Sequence, residues 1–319
     1  MKKNTVFLNS EKLDFDNKLD FSSLIELTTF TKYAASSNEE ILARVKDQEI
    51  VITKEMLVGR DVISQFPPSV KLICEAGTGY NNIDIVAARE KGIAVCNVPT
   101  YSTEAVAQMA ITFILNLSSS LIQQQIMLQK KNFDNFTKYL EVPHFELQGK
   151  TLGVIGGGAI GRHTVKLALA LGMNVLVFDP APKPYDDPKV QFVSMEDLLK
   201  QSDFITLHCP LNPHTKYLIN KDSLKLVKPS VFIINTSRGL LIKEEDLIEA
   251  LRNKKIAGAA LDVQEIEPPA LDNSLFDMEN VIMTPHIGWR RIESRQRLVE
   301  LTADNIKAYI AGKIINVVN

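Results

Sequence analysis

The chain has 319 residues, 45% of them hydrophobic, and is therefore long enough for two domains with packed cores. Its formal net charge of −2 argues against a general binder of nucleic-acid backbones, because such proteins carry a basic excess. The N-terminus does not resemble a signal peptide, and no stretch reaches the ~18 apolar residues of a membrane span. We therefore expect a cytoplasmic protein with neither a membrane nor a nucleic-acid partner.

Cys74, Cys96 and Cys209 lie in apolar runs and form no CxxC pair. This pattern predicts neither a disulfide framework nor a zinc site, and it is typical of buried thiols in a reducing compartment. The histidines show no spacing typical of metal ligands, so we expect no metal site.

The first part of the chain alternates short β-branched runs with helical patterns. The predicted strands are residues 5–9, 25–29, 49–53, 71–75 and 93–97, and helices are predicted at residues 39–46, 54–59 and 83–91. Alternation of this kind indicates a parallel sheet with helices on both faces.

A long apolar pattern at residues 102–129 predicts one continuous helix, and residues 130–149 show little periodicity. A second alternating series follows, with predicted strands at residues 151–156, 174–179, 190–192, 204–209, 231–236, 258–262 and 281–284. An amphipathic helix is predicted at residues 292–311. The two series share a βα rhythm, which indicates two related α/β folds.

A glycine-rich turn, Gly156-x-Gly158-x-x-Gly161, follows the first strand of the second series and precedes a helical pattern. In such turns the first glycine permits the tight bend, the second lets the backbone approach a pyrophosphate, and the third lets the helix pack on the strand. The pyrophosphate then meets free N–H groups at the positive end of the helix dipole. The motif predicts a dinucleotide site, although an ordinary strand–turn–helix is the alternative.

Asp179 ends the next predicted strand, close to the ~20-residue offset at which a carboxylate binds the ribose hydroxyls. No arginine follows it to receive a 2′-phosphate, which Asp179 would also repel. The sequence therefore favours NAD over NADP as the cofactor.

Three polar residues, Arg238, Glu267 and His286, follow later strands of this series, where the ligand sites of open parallel sheets collect. His286 can give a proton to a carbonyl oxygen, and Glu267 can orient its imidazole and support its charge. Arg238 can hold a carboxylate with two hydrogen bonds. Each residue alone could be an ordinary loop residue, but downstream of a dinucleotide motif they predict reduction of a 2-keto acid.

The chain resembles the D-isomer-specific 2-hydroxyacid dehydrogenase family over nearly its whole length. The motifs that carry the resemblance occur in the family's order: the glycine turn, His208-Cys-Pro-Leu-Asn-Pro-His-Thr215, Asn235-Thr-Ser-Arg-Gly239, the segment 262–268 and Thr284-Pro-His-Ile-Gly288. The stretches at residues 79–82 and 97–108, and Trp289 with Glu293, Arg295, Gln296 and Arg297, resemble most the glycerate dehydrogenases of this family, also called hydroxypyruvate reductases. Gln264 departs from the family pattern, which usually has an aromatic residue there.

The resemblance implies specific roles for residues of this sequence. Arg238, Glu267 and His286 would be catalytic, and the backbone of Thr78 and Gly79 would share the substrate carboxylate with Arg238. His286 would also lie against the cofactor. Of the further cofactor contacts implied, Cys209 and Pro210 would line the adenine pocket, and Thr236 and Asp262 would contact the nicotinamide half. The others are Gly156, Gly158, Ala159, Ile160, Gly161, Asp179, Thr215 and Gly288.

The resemblance also implies the architecture, an α/β fold with two doubly wound parallel-sheet domains. A Rossmann NAD-binding domain at residues 100–288 would be inserted into a flavodoxin-like substrate domain at residues 1–99 and 289–319. The active site would lie in the cleft between them, and the protein would be a homodimer.

The expected reaction is NAD-dependent reduction of hydroxypyruvate or glyoxylate to D-glycerate or glycolate, and its reverse. The alternatives are another 2-hydroxy acid, such as D-lactate or D-3-phosphoglycerate, and an NAD-sensing regulator resembling the C-terminal-binding-protein corepressors.

Overall fold

A computed structural model describes residues 2–319. The chain divides into two units, one formed by residues up to Ser102 together with Trp289–Asn319, and the other by Thr103–Gly288. The sequence predicts the first domain boundary between residues 99 and 100, whereas this division lies between Ser102 and Thr103, where a long helix begins.

The first unit has a five-stranded parallel sheet of order β2-β1-β3-β4-β5, the flavodoxin-like order. Its strands are β1 (Asn4–Phe7), β2 (Thr29–Lys32), β3 (Ile50–Thr53), β4 (Leu72–Glu75) and β5 (Ala94–Cys96), and its helices are α1 (Ser22–Leu27), α2 (Asn38–Arg44), α3 (Arg60–Ile63), α4 (Ile85–Glu90) and α11 (Ile292–Ile310). Every residue of β3 and β4 is buried, as expected for central strands covered on both faces.

The second unit has a seven-stranded parallel sheet of order β12-β11-β10-β9-β6-β7-β8, which contains the Rossmann order. Its strands are β6 (Thr151–Ile155), β7 (Asn174–Phe178), β8 (Val190–Phe192), β9 (Phe204–Leu207), β10 (Phe232–Asn235), β11 (Gly258–Leu261) and β12 (Val281–Met283), and its helices are α5 (Thr103–Ser119), α6 (Leu121–Gln129), α7 (Asp134–Thr137), α8 (Ala159–Ala170), α9 (Met195–Gln201) and α10 (Glu244–Arg252). Two parallel-sheet α/β units confirm the predicted fold class.

The strand predicted at residues 25–29 is wrong. Those residues mostly belong to α1, and β2 begins only at Thr29. Both the backbone N–H and the hydroxyl of Thr28 donate to the carbonyl of Leu24, which ends the helix before the edge strand starts. The β-branched residues Thr28 and Thr29 directly follow the helix end and made the segment look like a strand.

The helix predicted at residues 54–59 is also absent, because the side chain of Asn9 takes the backbone groups that a helix would use. Asn9 accepts a hydrogen bond from the Lys54 amide at 2.9 Å and donates to the Lys54 carbonyl at 2.6 Å. The next residue, Glu55, has a left-handed backbone with φ 51°.

The helix predicted at residues 102–129 is two helices, α5 and α6, with a 57° bend between them. Ser120 lies at the bend with φ 47°, and its hydroxyl donates to the carbonyl of Pro143 at 2.6 Å. Within residues 2–319, no single helix has the length and hydropathy to cross a membrane. Only α5 and α6 together, across their bend, meet that test of length and composition.

Candidate active site

The glycine turn joins β6 to α8 at the carboxyl edge of the seven-stranded sheet. Gly156 has φ +103°, and a Cβ there would lie 2.6 Å from the backbone nitrogen of Cys209. A Cβ on Gly161 would lie 2.0 Å from the carbonyl oxygen of Gly156. Both positions therefore require glycine, one for its backbone angle and both for close packing.

The N-terminus of α8 offers unused donors at this turn. Gly158 is the N-cap residue, and no described side chain caps the helix. The first amides of a helix have no partner four residues earlier, so those of Ala159 and Ile160 are available to an anion. This arrangement fits the pyrophosphate of a dinucleotide.

Asp179 follows β7 and reaches back to the turn. Its Oδ2 accepts a hydrogen bond from the Gly157 amide at 2.6 Å, and its Oδ1 accepts one from the Ala181 amide at 2.8 Å. The carboxylate is thus fixed beside the glycine turn, where the adenosine ribose of a bound dinucleotide would lie.

The loop after β9 contains the predicted adenine contacts Cys209 and Pro210 and a further predicted cofactor contact, Thr215. Burial raises the pKa of the Cys209 thiol to about 11, so the group is a neutral apolar surface near pH 7. The Thr215 hydroxyl donates to the Pro210 carbonyl at 2.6 Å, which closes the loop on itself.

Thr236 follows β10 and has one feature that points to a ligand. Its Oγ1 is buried and has no hydrogen-bond partner within residues 2–319. An unpaired buried hydroxyl is costly, so a bound group that pairs with it would relieve that cost. NAD, whose nicotinamide half the sequence analysis assigned to this residue, would supply such a group.

His286 and Glu267 form the central pair of the site. The Nδ1 of His286 lies 2.9 Å from Oε2 of Glu267, and the other carboxylate oxygen accepts a hydrogen bond from the Gln264 amide at 3.0 Å. Burial would raise the pKa of Glu267, but the hydrogen bonds from His286 and Gln264 and the charge of Arg238 lower it below its usual value. Glu267 is therefore a carboxylate at neutral pH.

Arg238 follows β10 and lies close enough to influence Glu267 electrostatically. Its Nη1 donates to the carbonyl of Ser237 at 2.8 Å, and its own carbonyl accepts a hydrogen bond from the side chain of Asn235 at 2.9 Å. Within residues 2–319 its guanidinium forms no ion pair shorter than 4 Å, so most of its donors remain available to an anion.

His286 has a left-handed backbone, with φ 52°, which is unfavourable for a residue with a side chain. Asp262, only 1% exposed, holds this loop in place. Its carbonyl accepts a hydrogen bond from the His286 amide at 2.8 Å. Its carboxylate accepts hydrogen bonds from the Thr284 hydroxyl and from the amides of residues 287 and 288, at 2.6 to 2.9 Å.

Gln264, the departure from the family pattern, does not point freely into the site. It is 7% exposed, and its side-chain amide donates to the carbonyls of Leu261 and Thr284. Its backbone amide instead supports Glu267. The sequence pattern indicated neither contact, because the first is a backbone hydrogen bond within the loop after β11 and the second joins the loops after β11 and β12.

In the first unit, the loop after β4 contains Thr78 and Gly79. The Thr78 carbonyl accepts a hydrogen bond from Asn97, and the Thr78 hydroxyl donates to Val98. Within residues 2–319, neither the Thr78 nor the Gly79 amide donates a hydrogen bond. The loop is therefore anchored and has two free N–H groups, a form that suits an anion.

Comparison with known proteins settles the family. A family model described as "D-isomer specific 2-hydroxyacid dehydrogenase, NAD binding domain" matches residues 111–288. A hydroxypyruvate reductase of Blautia hydrogenotrophica is 38% identical over 98% of this chain and 97% of its own length. The chain belongs to the D-isomer-specific 2-hydroxyacid dehydrogenase family. It is an NAD-dependent oxidoreductase, as the sequence predicted.

Other relatives agree with this assignment. A glycerate dehydrogenase of Methylorubrum extorquens is 36% identical over 100% of this chain and 99% of its own length. The structure of a D-lactate dehydrogenase from Aquifex aeolicus, complexed with NAD and lactic acid, matches with a TM-score of 0.85 at 31% identity, covering 97% and 96% of the two chains. A glyoxylate reductase from Paecilomyes thermophila matches with a TM-score of 0.86 at 28% identity, covering 100% and 99%.

Proposed function

We propose that this enzyme interconverts a small 2-keto acid and its D-2-hydroxy acid, with hydroxypyruvate and glyoxylate as the preferred keto acids. The observation that carries the proposal is the pairing of His286 with Glu267 beside the charge of Arg238, at the same sheet edge as the glycine turn. NAD in its reduced form supplies the hydride when bound. The chain's residues must then supply a proton and an anchor for the carboxylate.

His286 supplies the proton in this proposal. Because Nδ1 forms a hydrogen bond with Glu267, Nε2 is the ring nitrogen that remains to face a carbonyl oxygen. Glu267 stays ionised, so it fixes the ring orientation and stabilises the imidazolium before the proton is transferred. In the reverse direction the same nitrogen accepts the proton of the hydroxy acid.

Arg238 is the proposed clamp for the substrate carboxylate. Its planar guanidinium can donate two parallel hydrogen bonds to a carboxylate, a geometry that a lysine cannot reproduce. The free amides of Thr78 and Gly79 suit the same chemical group, and we assign them to substrate binding as well. Both assignments favour a small anionic substrate.

For the cofactor, we propose that the amides of Gly158, Ala159 and Ile160 bind the pyrophosphate, and that Asp179 binds the adenosine ribose. The packing of Gly156 and Gly161 supports this turn. The remaining proposed contacts are Cys209, Pro210 and Thr215 at the adenine end and Thr236, Asp262, His286 and Gly288 at the nicotinamide end.

The preference for hydroxypyruvate and glyoxylate is supported by relatives named hydroxypyruvate reductase, glycerate dehydrogenase and glyoxylate reductase. The test is NADH oxidation with hydroxypyruvate, glyoxylate, pyruvate and 3-phosphohydroxypyruvate, compared by kcat/KM. A higher kcat/KM for pyruvate or the phosphorylated acid would contradict the preference. Tight NADH binding without turnover of any keto acid would instead favour a regulator.

We also propose that the enzyme is a cytoplasmic homodimer. α6 buries no residue, and large apolar side chains stay exposed on it and on the segment that follows, including Leu121, Phe136 and Tyr139. Such a surface suits a second copy of the chain. Light scattering measures the mass directly, and a monomer at micromolar concentration would contradict the proposal.

A further inference from the structure

Lys54 is a fully buried lysine in the first unit, outside the residues assigned so far. Its Nζ lies 2.5 Å from Oε1 of Glu55 and 3.9 Å from the ring centroid of Trp289, which is itself 4% exposed. Burial would lower the pKa of Lys54, but the neighbouring Tyr101, Glu55 and Glu75 raise it above its usual value. The side chain is therefore an ammonium ion shielded from water.

A buried carboxylate, Glu75, lies in the same cluster. It accepts hydrogen bonds from the Thr53 hydroxyl, the Asn82 side chain and the Glu55 amide, at 2.8 to 3.0 Å. The NH2 group of Asn82 and the backbone N–H of Glu55 are both donors, which fits an ionised carboxylate. Burial raises its pKa above the usual value, against the opposing charge of Lys54.

The Glu75 carboxylate and the Lys54 ammonium both lie next to the loop that contains Thr78 and Gly79. A Cβ built on Gly77 would be 3.2 Å from Oε1 of Glu75 and 3.5 Å from Nζ of Lys54. The chain continues from Gly77 to the two free amides. A carboxylate bound there would therefore be close to a buried negative charge and a buried positive charge.

At this position the charge of Glu75 opposes binding of an anion, and the charge of Lys54 counteracts that effect. Without the ammonium, Glu75 and the partly exposed Glu55 that pairs with Lys54 would both repel an anion on the loop, and around the buried Glu75 little water would be present to screen the repulsion. We propose that Lys54 is a positioning residue for the substrate, whose ammonium offsets Glu75 and allows the Thr78 and Gly79 amides to bind a carboxylate. Trp289 covers the ammonium, so water does not screen its charge.

The inference rests on the proposed function, because it concerns the substrate carboxylate. Its test compares the variants Lys54→Met, Glu75→Gln and the double variant in steady-state reduction of hydroxypyruvate at saturating NADH. Lys54→Met should raise KM at least about ten-fold, since a unit charge near a bound carboxylate at an effective dielectric of about 20 has an effect of at least that order. Glu75→Gln should lower KM, and the double variant should return it towards the wild-type value.

A purely structural role predicts a different result. Loss of packing would raise KM or reduce kcat in both single variants. The electrostatic role instead changes KM in opposite directions in the two variants and leaves kcat within about two-fold of wild type, which is small beside the ten-fold change expected in KM. Thermal melting and NADH affinity, measured by fluorescence, report on folding in each variant.

Lys32 provides a matched control in the same unit. Its ammonium also lies over an aromatic ring, 4.3 Å from the centroid of Phe21, and pairs with Asp14 at 3.2 Å, but its side chain is 43% exposed. Lys32→Met should leave KM unchanged.

Three outcomes would overturn the inference. The first is a shift of KM in the same direction in both single variants. The second is an unchanged or raised KM in Glu75→Gln, which overturns the inference even if Lys54→Met does not fold. The third is a wild-type enzyme that reduces no 2-keto acid, which overturns the proposed function and this inference with it, whereas the first two leave the proposed function standing.

Discussion

Glu267 and His286 are separated by 19 positions in the sequence, yet Oε2 of Glu267 lies 2.9 Å from Nδ1 of His286. The pair forms because parallel strands β11 and β12 are neighbours and the loops after them leave the same edge of the sheet. This contact occupies Nδ1, so Nε2 is the ring nitrogen of His286 that the proposed mechanism uses.

Replacing His286 with alanine should abolish keto-acid reduction while NADH still binds. A positioned acid–base group contributes about 10²- to 10⁴-fold to a rate. His208, which follows β9 at the same sheet edge, is a poor replacement because burial lowers its pKa to about 3. Stopped-flow turnover and NADH fluorescence measure the two effects separately. Turnover within about ten-fold of wild type would contradict the assignment of His286 as proton donor, because it falls below the expected range.

Glu267→Gln should change the pH dependence of stability. The pKa of Glu267 is lowered in the folded protein, so its stabilising contribution is complete above the usual carboxyl pKa and is lost as the pH falls through the lowered value. The difference in Tm between wild type and Glu267→Gln should therefore stay constant from pH 7 down to the usual carboxyl pKa and shrink as the pH falls further. A difference that already disappears above the usual carboxyl pKa, or that persists at the most acidic pH at which both proteins fold, would contradict the lowered pKa.

Arg238→Lys should weaken substrate binding and turnover without affecting NADH affinity. Lysine keeps the charge but loses the planar pair of donors, so kcat/KM should fall by about 10- to 100-fold, the loss expected for one charge-assisted hydrogen bond. Steady-state kinetics with hydroxypyruvate measure this effect. The role of Arg238 as a clamp would be wrong if KM and kcat both stayed at their wild-type values.

The local parts of this site were readable from the sequence, whereas its long-range support was not. The glycine turn and the strand-end residues Arg238 and His286 stand out because a strand pattern directly precedes each of them. The prediction of a helix at residues 54–59 was wrong because the side chain of Asn9, 45 residues earlier, forms hydrogen bonds with the Lys54 backbone. Such a contact leaves no periodic signal in the segment itself.

The same distinction applies to Asp262. Its position was assigned through the family resemblance as a nicotinamide contact, but its carboxylate accepts hydrogen bonds from residues 22 to 26 positions later. No sequence pattern describes an aspartate that holds another strand's loop. Its support of the left-handed His286 became apparent only from the backbone geometry.

Asp179→Ser should shift cofactor preference towards NADPH. The carboxylate at the glycine turn favours ribose hydroxyls and repels a 2′-phosphate, so its removal should raise KM for NADH and lower KM for NADPH. The ratio of kcat/KM for the two cofactors measures the shift, and we expect it to move at least about ten-fold towards NADPH. An unchanged ratio would mean that Asp179 does not contact the ribose.

Asp262→Asn should reduce both stability and kcat. Asparagine is uncharged and keeps only one acceptor oxygen, so the amides of residues 287 and 288 lose a charged partner and one of them loses its acceptor, at a side chain that is 1% exposed. Such a loss costs about 1.5–3 kcal/mol, and the loop that holds His286 at φ 52° would relax. Urea unfolding measures the stability change, and single-turnover reduction at saturating keto acid and NADH measures the chemical step. A variant that is destabilised but reduces substrate at the wild-type rate would limit Asp262 to a role in folding, because the geometry of His286 would then not depend on it.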